Sequence, residues 1–185
     1  MSGQIITLTS RAPLRLDPAK WNNPATVRKT NCISFALDCQ EAGFQKDPGH
    51  LGVPRENSGL FKERIESNKA LRKLWLKANP GAEPSLFNAH LYEVVDGLER
   101  IRAHSFDPAR DHIMAFHPAI IHWHRLEDDG FWAEKLGAQD ACKTDLRGDF
   151  NDMNQITYMP RMLSRIETVY FRVPRQGIQL ALGTQ

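Results

Sequence analysis

The run Ile120-Ile121-His122-Trp123-His124-Arg125-Leu126-Glu127, then Asp128-Asp129-Gly130, then Phe131-Trp132-Ala133-Glu134-Lys135-Leu136-Gly137 leaves this chain few folds to choose from. Two segments rich in β-branched and aromatic residues flank three residues that end in glycine. That pattern predicts a β-hairpin with a three-residue turn whose last residue is left-handed. If Glu127 faces Phe131, then His124 stands opposite Glu134 and His122 opposite Leu136. Side chains alternate along a strand, so His122, His124 and Glu134 share one face. The diagonal from His122 to Glu134 spans roughly 7–8 Å between backbones, which long side chains can bridge. A two- or four-residue turn would send Glu134 to the other face, so the grouping depends on the turn.

Short strands are also expected at His112–Phe116 and Glu167–Val173, with Pro174 ending the latter. Earlier in the chain the period is helical. Ser58–Ala78 carries apolar positions at Phe61, Ile65, Leu71, Leu74 and Trp75 and is stopped by Pro80-Gly81. Residues 85–103 repeat the pattern behind a Ser85 cap, although Gly97 weakens that helix by about 1 kcal/mol and marks a break point. Helices first and strands afterwards predict an α+β fold. Pro13, Pro18 and Pro24 make residues 1–29 irregular. Residues 44–57, with Pro48-Gly49, Gly52 and Pro54, read as a long loop that either lines a cleft or only connects. No repeat or boundary divides the 185 residues, so one domain spans 1–185, with residues 1–20 its loosest part.

A second stretch carries chemistry. In Thr30-Asn31-Cys32-Ile33-Ser34-Phe35-Ala36-Leu37-Asp38-Cys39, Thr30 or Asn31 can cap a helix that Gly43 would end. Ile33, Phe35, Ala36, Leu37 and Cys39 cover most of its circumference, so it is expected to be buried on more than one side. Cys32 falls in the first turn, where the helix dipole favours negative charge and a thiol becomes a nucleophile. A lone cysteine on an apolar helix is ordinarily a small core residue. A catalytic one needs a base and an orienting group, and the hairpin face offers both. His-x-His is also a metal-ligand spacing, with His117 or Cys142 as a further donor. No Cys-x-x-Cys or His-Glu-x-x-His pattern supports zinc, so neither metal nor cofactor is expected. Trp21, shortly before the cysteine, either anchors the core or binds substrate.

Charge and cysteine content exclude other classes. The 24 basic and 22 acidic residues leave a net charge of +2, with no basic field for nucleic acid. Lys69, Arg72, Lys73 and Lys77 offer a basic helix face for an acidic partner, or simply a solvated one. Cys32, Cys39 and Cys142 form no disulfide framework. On one continuous helix Cys32 and Cys39 would lie about 10 Å apart, too far to bridge. Nothing in Met1-Ser2-Gly3-Gln4-Ile5-Ile6 resembles a signal peptide, and no membrane span is seen. The expected compartment is the cytoplasm, or the exterior by a route without a cleavable signal.

The order of motifs resembles the NlpC-type branch of the papain-like cysteine peptidases and amidases. It runs Asn31-Cys32 at a helix start, then His122-Trp123-x-Arg125, then Asp129-Gly130-x-Trp132 and Lys135-x-Gly137. Trp21-Asn22-Asn23-Pro24, Pro48-Gly49, Asp96-Gly97-Leu98, Thr144-Asp145 and Tyr170-Phe171-Arg172-Val173-Pro174 look like a bacterial subgroup of it. The resemblance implies a nucleophile helix packed on an antiparallel sheet. It implies Cys32 as nucleophile, His122 as base, Glu134 as orienting residue, and Trp21 and Asn31 near substrate. Two positions depart: Glu134 stands where histidine is frequent, and His124 where an aromatic residue such as tyrosine is expected, which makes His124 an alternative base. The implied activity is thiolate attack on an amide, in a peptide or peptidoglycan-like substrate or in the target of a bacterial effector. An inhibitor or immunity protein would then be a partner. Deamidase or acyltransferase chemistry, a catalytically inactive binding module of this fold, and a metal-dependent hydrolase are the alternatives.

Overall fold

The computed structural model describes residues 4–42, 47–53, 58–101, 107, 109–118, 120–147 and 168–182. Gly43, Pro54, Arg102, Ala103 and Glu167 lie outside them. Among the described residues the chain is α+β, a mixture of helices and antiparallel sheet.

The N-terminal part is more ordered than its prolines suggest. Strand β1 (Ile5–Leu8) comes first. Helix α1 (Pro18–Trp21) follows, capped by Asp17, and then α2 (Pro24–Val27), capped by Asn23. In both helices proline occupies the first helical position, where its missing N–H costs nothing. Helix α3 (Cys32–Ala36) is capped by Asn31, whose Oδ1 accepts from Ser34 N at 3.1 Å. Thr30 is not the cap, because its hydroxyl donates to the Thr26 carbonyl. α3 ends earlier than the apolar run suggests. Leu37 closes it and Asp38 turns left-handed at φ +51, so Cys39 lies beyond the helix and the expected seven-residue helical spacing does not hold. Lys20 and Arg125 hold the Asp38 carboxylate at 2.7 and 2.8 Å and thereby stabilise a conformation that aspartate tolerates better than most residues.

Helix α4 (Ser58–Ala78) has the bounds expected from its period. α5 (Leu86–Val94) is shorter than expected. Gly97 at φ +79 takes the chain out of the helical direction, and residues 99–101 become strand β2 (Glu99–Ile101). The remaining strands are β3 (Ile113–His117), β4 (His122–Leu126), β5 (Phe131–Lys135), β6 (Ala141–Arg147), β7 (Val169–Arg172) and β8 (Ile178–Ala181). They form a sheet in the order β2-β7-β3-β4-β5-β6, with β1 paired to β8 separately, and each neighbouring pair is antiparallel. The β4–β5 hairpin has the expected register, with His124 opposite Glu134 and Gly130 at φ +81 closing the turn.

One sheet face packs on α3 and α5 through Ile33, Ala36, Leu37, Ala89, Tyr92, Met114, Phe116, Trp123 and Phe171. Trp21 is fully buried beside Phe35, edge to face at 5.1 Å. Its ring therefore has no surface to offer a substrate, and its place in the chain is that of a core anchor. Asn22 pairs with both backbone groups of Ala141 and so covers part of the β6 edge.

His112 is buried under α3, with Nε2 donating to the Ala36 carbonyl at 2.5 Å. Burial lowers its pKa from 6.5 to about 4. A histidine held neutral in the fold binds its proton first in the unfolded chain. Stability is therefore lost as pH falls from 6.5 toward about 4, on the order of 3 kcal/mol from this residue. Denaturant midpoints measured from pH 7 to 4 should fall accordingly, with a shallower slope in His112→Gln. An equal slope in the variant would remove His112 as the cause.

Candidate active site

Three elements, α3, β4 and β5, bring the site residues together. α3 presents Cys32 at its first position, half-buried, and β4 begins with His122 directly under it. The Cys32 thiol lies 3.9 Å from the Ile121 carbonyl oxygen and is a hydrogen-bond partner of the His122 side chain. His122 Nε2–H donates to Glu134 Oε2 at 2.9 Å. Cys32, His122 and Glu134 thus form one hydrogen-bonded line. His124 is completely buried, and its Nε2–H meets the same Oε2 at 3.1 Å. The aromatic position of the resemblance is taken by a ring that supports Glu134 from behind.

The electrostatics differ sharply along this line. Burial works against a charged His122, but hydrogen bonds to Cys32 and Glu134, and the charges of both, raise it to about 9. Burial pushes His124 down despite Glu134. His117, stacked edge to face on His124 at 4.9 Å, falls to about 3 through burial and its two neighbouring histidines. Only one imidazole of the three is therefore held charged at neutral pH, and it is the one beside the thiol. Cys142, opposite Glu134 on β6, is pushed up by burial and by that carboxylate.

Asn31 commits its side-chain oxygen to the α3 cap, where it accepts from both Ser34 N and Ser34 Oγ. That geometry makes it a residue that positions Cys32 rather than an open contact for substrate.

Two features carry roles that the motif pattern alone did not assign. Lys135 is buried with its ammonium on the carbonyls of Val27, Thr30 and Gly137. It ties the end of β5 to the segment that feeds Cys32. A lysine alternating with Glu134 on the helix-facing side of β5 was the available signal. Ile121 stands just before His122 at φ +51, a strained conformation for a β-branched residue. Elsewhere, Asp96 accepts from Gly49 N at 2.6 Å and Leu51 N at 2.9 Å, so the Pro48-Gly49 and Asp96-Gly97 motifs meet each other rather than the thiol.

No family model matches this chain, and no solved structure matches it. It is similar to Insoluble matrix shell protein 1 of Ruditapes philippinarum, 27% identical over 138 residues that cover 73% of this chain and 74% of that protein. No helix among the described residues is long and apolar enough to cross a membrane.

Proposed function

We propose that this chain is a papain-like, NlpC-type cysteine hydrolase or acyltransferase that acts on an amide bond. The observation that carries the reading is the Cys32–His122–Glu134 line, with His122 alone among its neighbouring histidines held charged. A charged imidazole beside a thiol favours the thiolate, which is the nucleophile. In the reaction the Cys32 sulfur forms a bond to the amide carbonyl carbon. The oxyanion is met by the Cys32 backbone N–H, which has no acceptor within the helix at this first position. His122 gives its proton to the leaving nitrogen as the C–N bond breaks, and a thioester remains. Water then loses a proton to His122 and adds to the thioester, the C–S bond breaks, and acid and thiolate are released. An amine in place of water makes the same site an acyltransferase. Glu134 holds the ring in one orientation and stabilises its charge, as the third member of such a triad does. Peptides, including peptidoglycan-like ones, are the substrate class that the resemblance implies.

A second reading rests on the donor set of His122, His124 and Glu134, whose ligand atoms all lie within 4.8 Å of one another. Those residues are the right types for zinc. A non-catalytic binding module is a third reading, compatible with a relative named as a matrix protein.

Iodoacetamide labelling read at each cysteine by peptide mass spectrometry separates them. Cys32 should label at least about tenfold faster than Cys39 and Cys142 at pH 7. Labelling of all three at one slow rate would remove the thiolate reading. Zinc bound at one equivalent, with labelling of Cys32 unchanged by chelation, would favour the metal reading instead.

A further inference from the structure

We propose that Ile121 sets the specificity of the Cys32 site, an assignment that rests on Cys32 being the nucleophile proposed above. With Ile120 and Leu136 it receives an apolar side chain of the substrate next to the attacked amide. The substrates are then peptides with an aliphatic or aromatic residue at that bond.

Among the described residues, two that are not glycine have a left-handed backbone, Asp38 and Ile121, each at φ +51. Asp38 has a reason within the fold. Lys20 and Arg125 hold its carboxylate, and aspartate tolerates that region. Ile121 has no reason of that kind. It ends the turn that joins β3 to β4, between the paired residues His117 and His122. Glycine or asparagine fits a left-handed turn position, whereas a branched Cβ crowds the backbone carbonyl there. Burial does not offset the strain, because the Ile121 side chain is in large part in water, at 52% exposure. Backbone strain that brings the fold no packing is a feature of binding and catalytic sites.

Its position points to the same role. The Ile121 carbonyl oxygen lies 3.9 Å from Cys32 Sγ, and His122 is the next residue. Covalent geometry then keeps the Ile121 Cβ within about 7 Å of the sulfur, so a substrate residue at the attacked carbonyl can reach it. Ile120, on the same turn, is 36% exposed. The antiparallel pairing of His124 with Glu134 sets the end of β5 beside the start of β4. Leu136, 39% exposed, therefore stands at the same end of the sheet. Exposed apolar side chains are ordinary one at a time. Three at the end of the sheet that holds the thiol are a surface that a substrate can cover. A charged substrate residue would lose water against them and gain no partner, which is why the class is apolar.

The test compares labelling of Cys32 in the full chain by N-hexyl iodoacetamide and by iodoacetamide, each rate divided by that of the same reagent with glutathione. The hexyl reagent is expected to gain about fivefold over iodoacetamide in the wild-type chain and in Ile121→Val, through burial of its methylenes. Ile121→Asn should reduce that preference to about twofold or less. The same variant should raise the melting temperature by about 2–4 °C, since asparagine accepts the left-handed backbone. Leu136→Gln should also lower the preference, and it remains informative if Ile121→Asn fails to fold. Fast labelling of Cys32 by both reagents with no preference would overturn the proposal and leave Cys32 a nucleophile. A preference retained in both Ile121→Asn and Leu136→Gln would overturn it too. Slow labelling by both reagents, no faster than at Cys39 and Cys142, would instead overturn the nucleophile reading and this proposal with it.

Discussion

Replacement of His122 by alanine is expected to slow iodoacetamide labelling of Cys32 at pH 7 by about 10- to 100-fold. Its ring is raised from 6.5 to about 9 by its contacts with Cys32 and Glu134. The same ring stands beside the Cys32 side chain as the group that would take its proton, so removing it leaves the thiol without a base. Against an amide substrate the loss is larger, about 10⁴-fold, because the same ring also moves the proton. His124→Ala should cost much less in both measurements. That ring meets Glu134 at 3.1 Å, and burial lowers its pKa. Cys39→Ala should leave activity largely unchanged, since Cys39 packs in the core beyond the end of α3. A larger loss in His124→Ala than in His122→Ala would make His124 the base.

Arg125→Met is expected to destabilise the fold by about 3–5 kcal/mol. Arg125 is fully buried, and its Nε donates to Glu127 Oε1 at 2.7 Å. One NH1 reaches both the Asp38 carboxylate at 2.8 Å and the Phe35 carbonyl at 3.1 Å. Its guanidinium also stacks on the Phe35 ring at 4.0 Å. Methionine fills a similar volume but leaves Glu127, itself fully buried, without its cation. Asp38 retains Lys20 and is affected less. Arg125→Met combined with Glu127→Gln should therefore recover part of the loss, as a double-mutant cycle by denaturant unfolding would show. A loss below about 1 kcal/mol in the single variant would mean that the network adds nothing beyond packing. Because Arg125 bridges the hairpin to the far end of α3, Cys32 labelling in the surviving folded fraction reports whether the two halves of the site stay aligned.

The hairpin shows how much a short stretch can determine. Three turn residues ending in Gly130, with alternation on either side, are enough to place His124 opposite Glu134 and His122 on the same face, because both rules act over neighbouring residues. Ser58–Ala78 was legible for the same reason, as a long period with a Pro80-Gly81 stop. A first-turn place for Cys32 followed from a cap at Thr30 or Asn31, and the structure makes Asn31 that cap.

Other features depended on partners far along the chain. β1 and β8 are individually short and pair with each other, and β6 is placed by its pairing with β5 and by Asn22. Trp21 became a core anchor because Phe35 and Ala133 close over it. The Asp38 turn required Lys20 and Arg125, which no local pattern links to it. The division between His122 and His124 was also tertiary. Both histidines share a strand face and a carboxylate, and one became charged while the other did not because α3 carries the thiol to the start of β4 and to nowhere else on that face. The sequence by itself determined which side chains could meet, through periodicity and turn chemistry. Only the packing of α3 on the sheet decided which of them did, since desolvation and charge pairing act through distances that the chain sets in three dimensions.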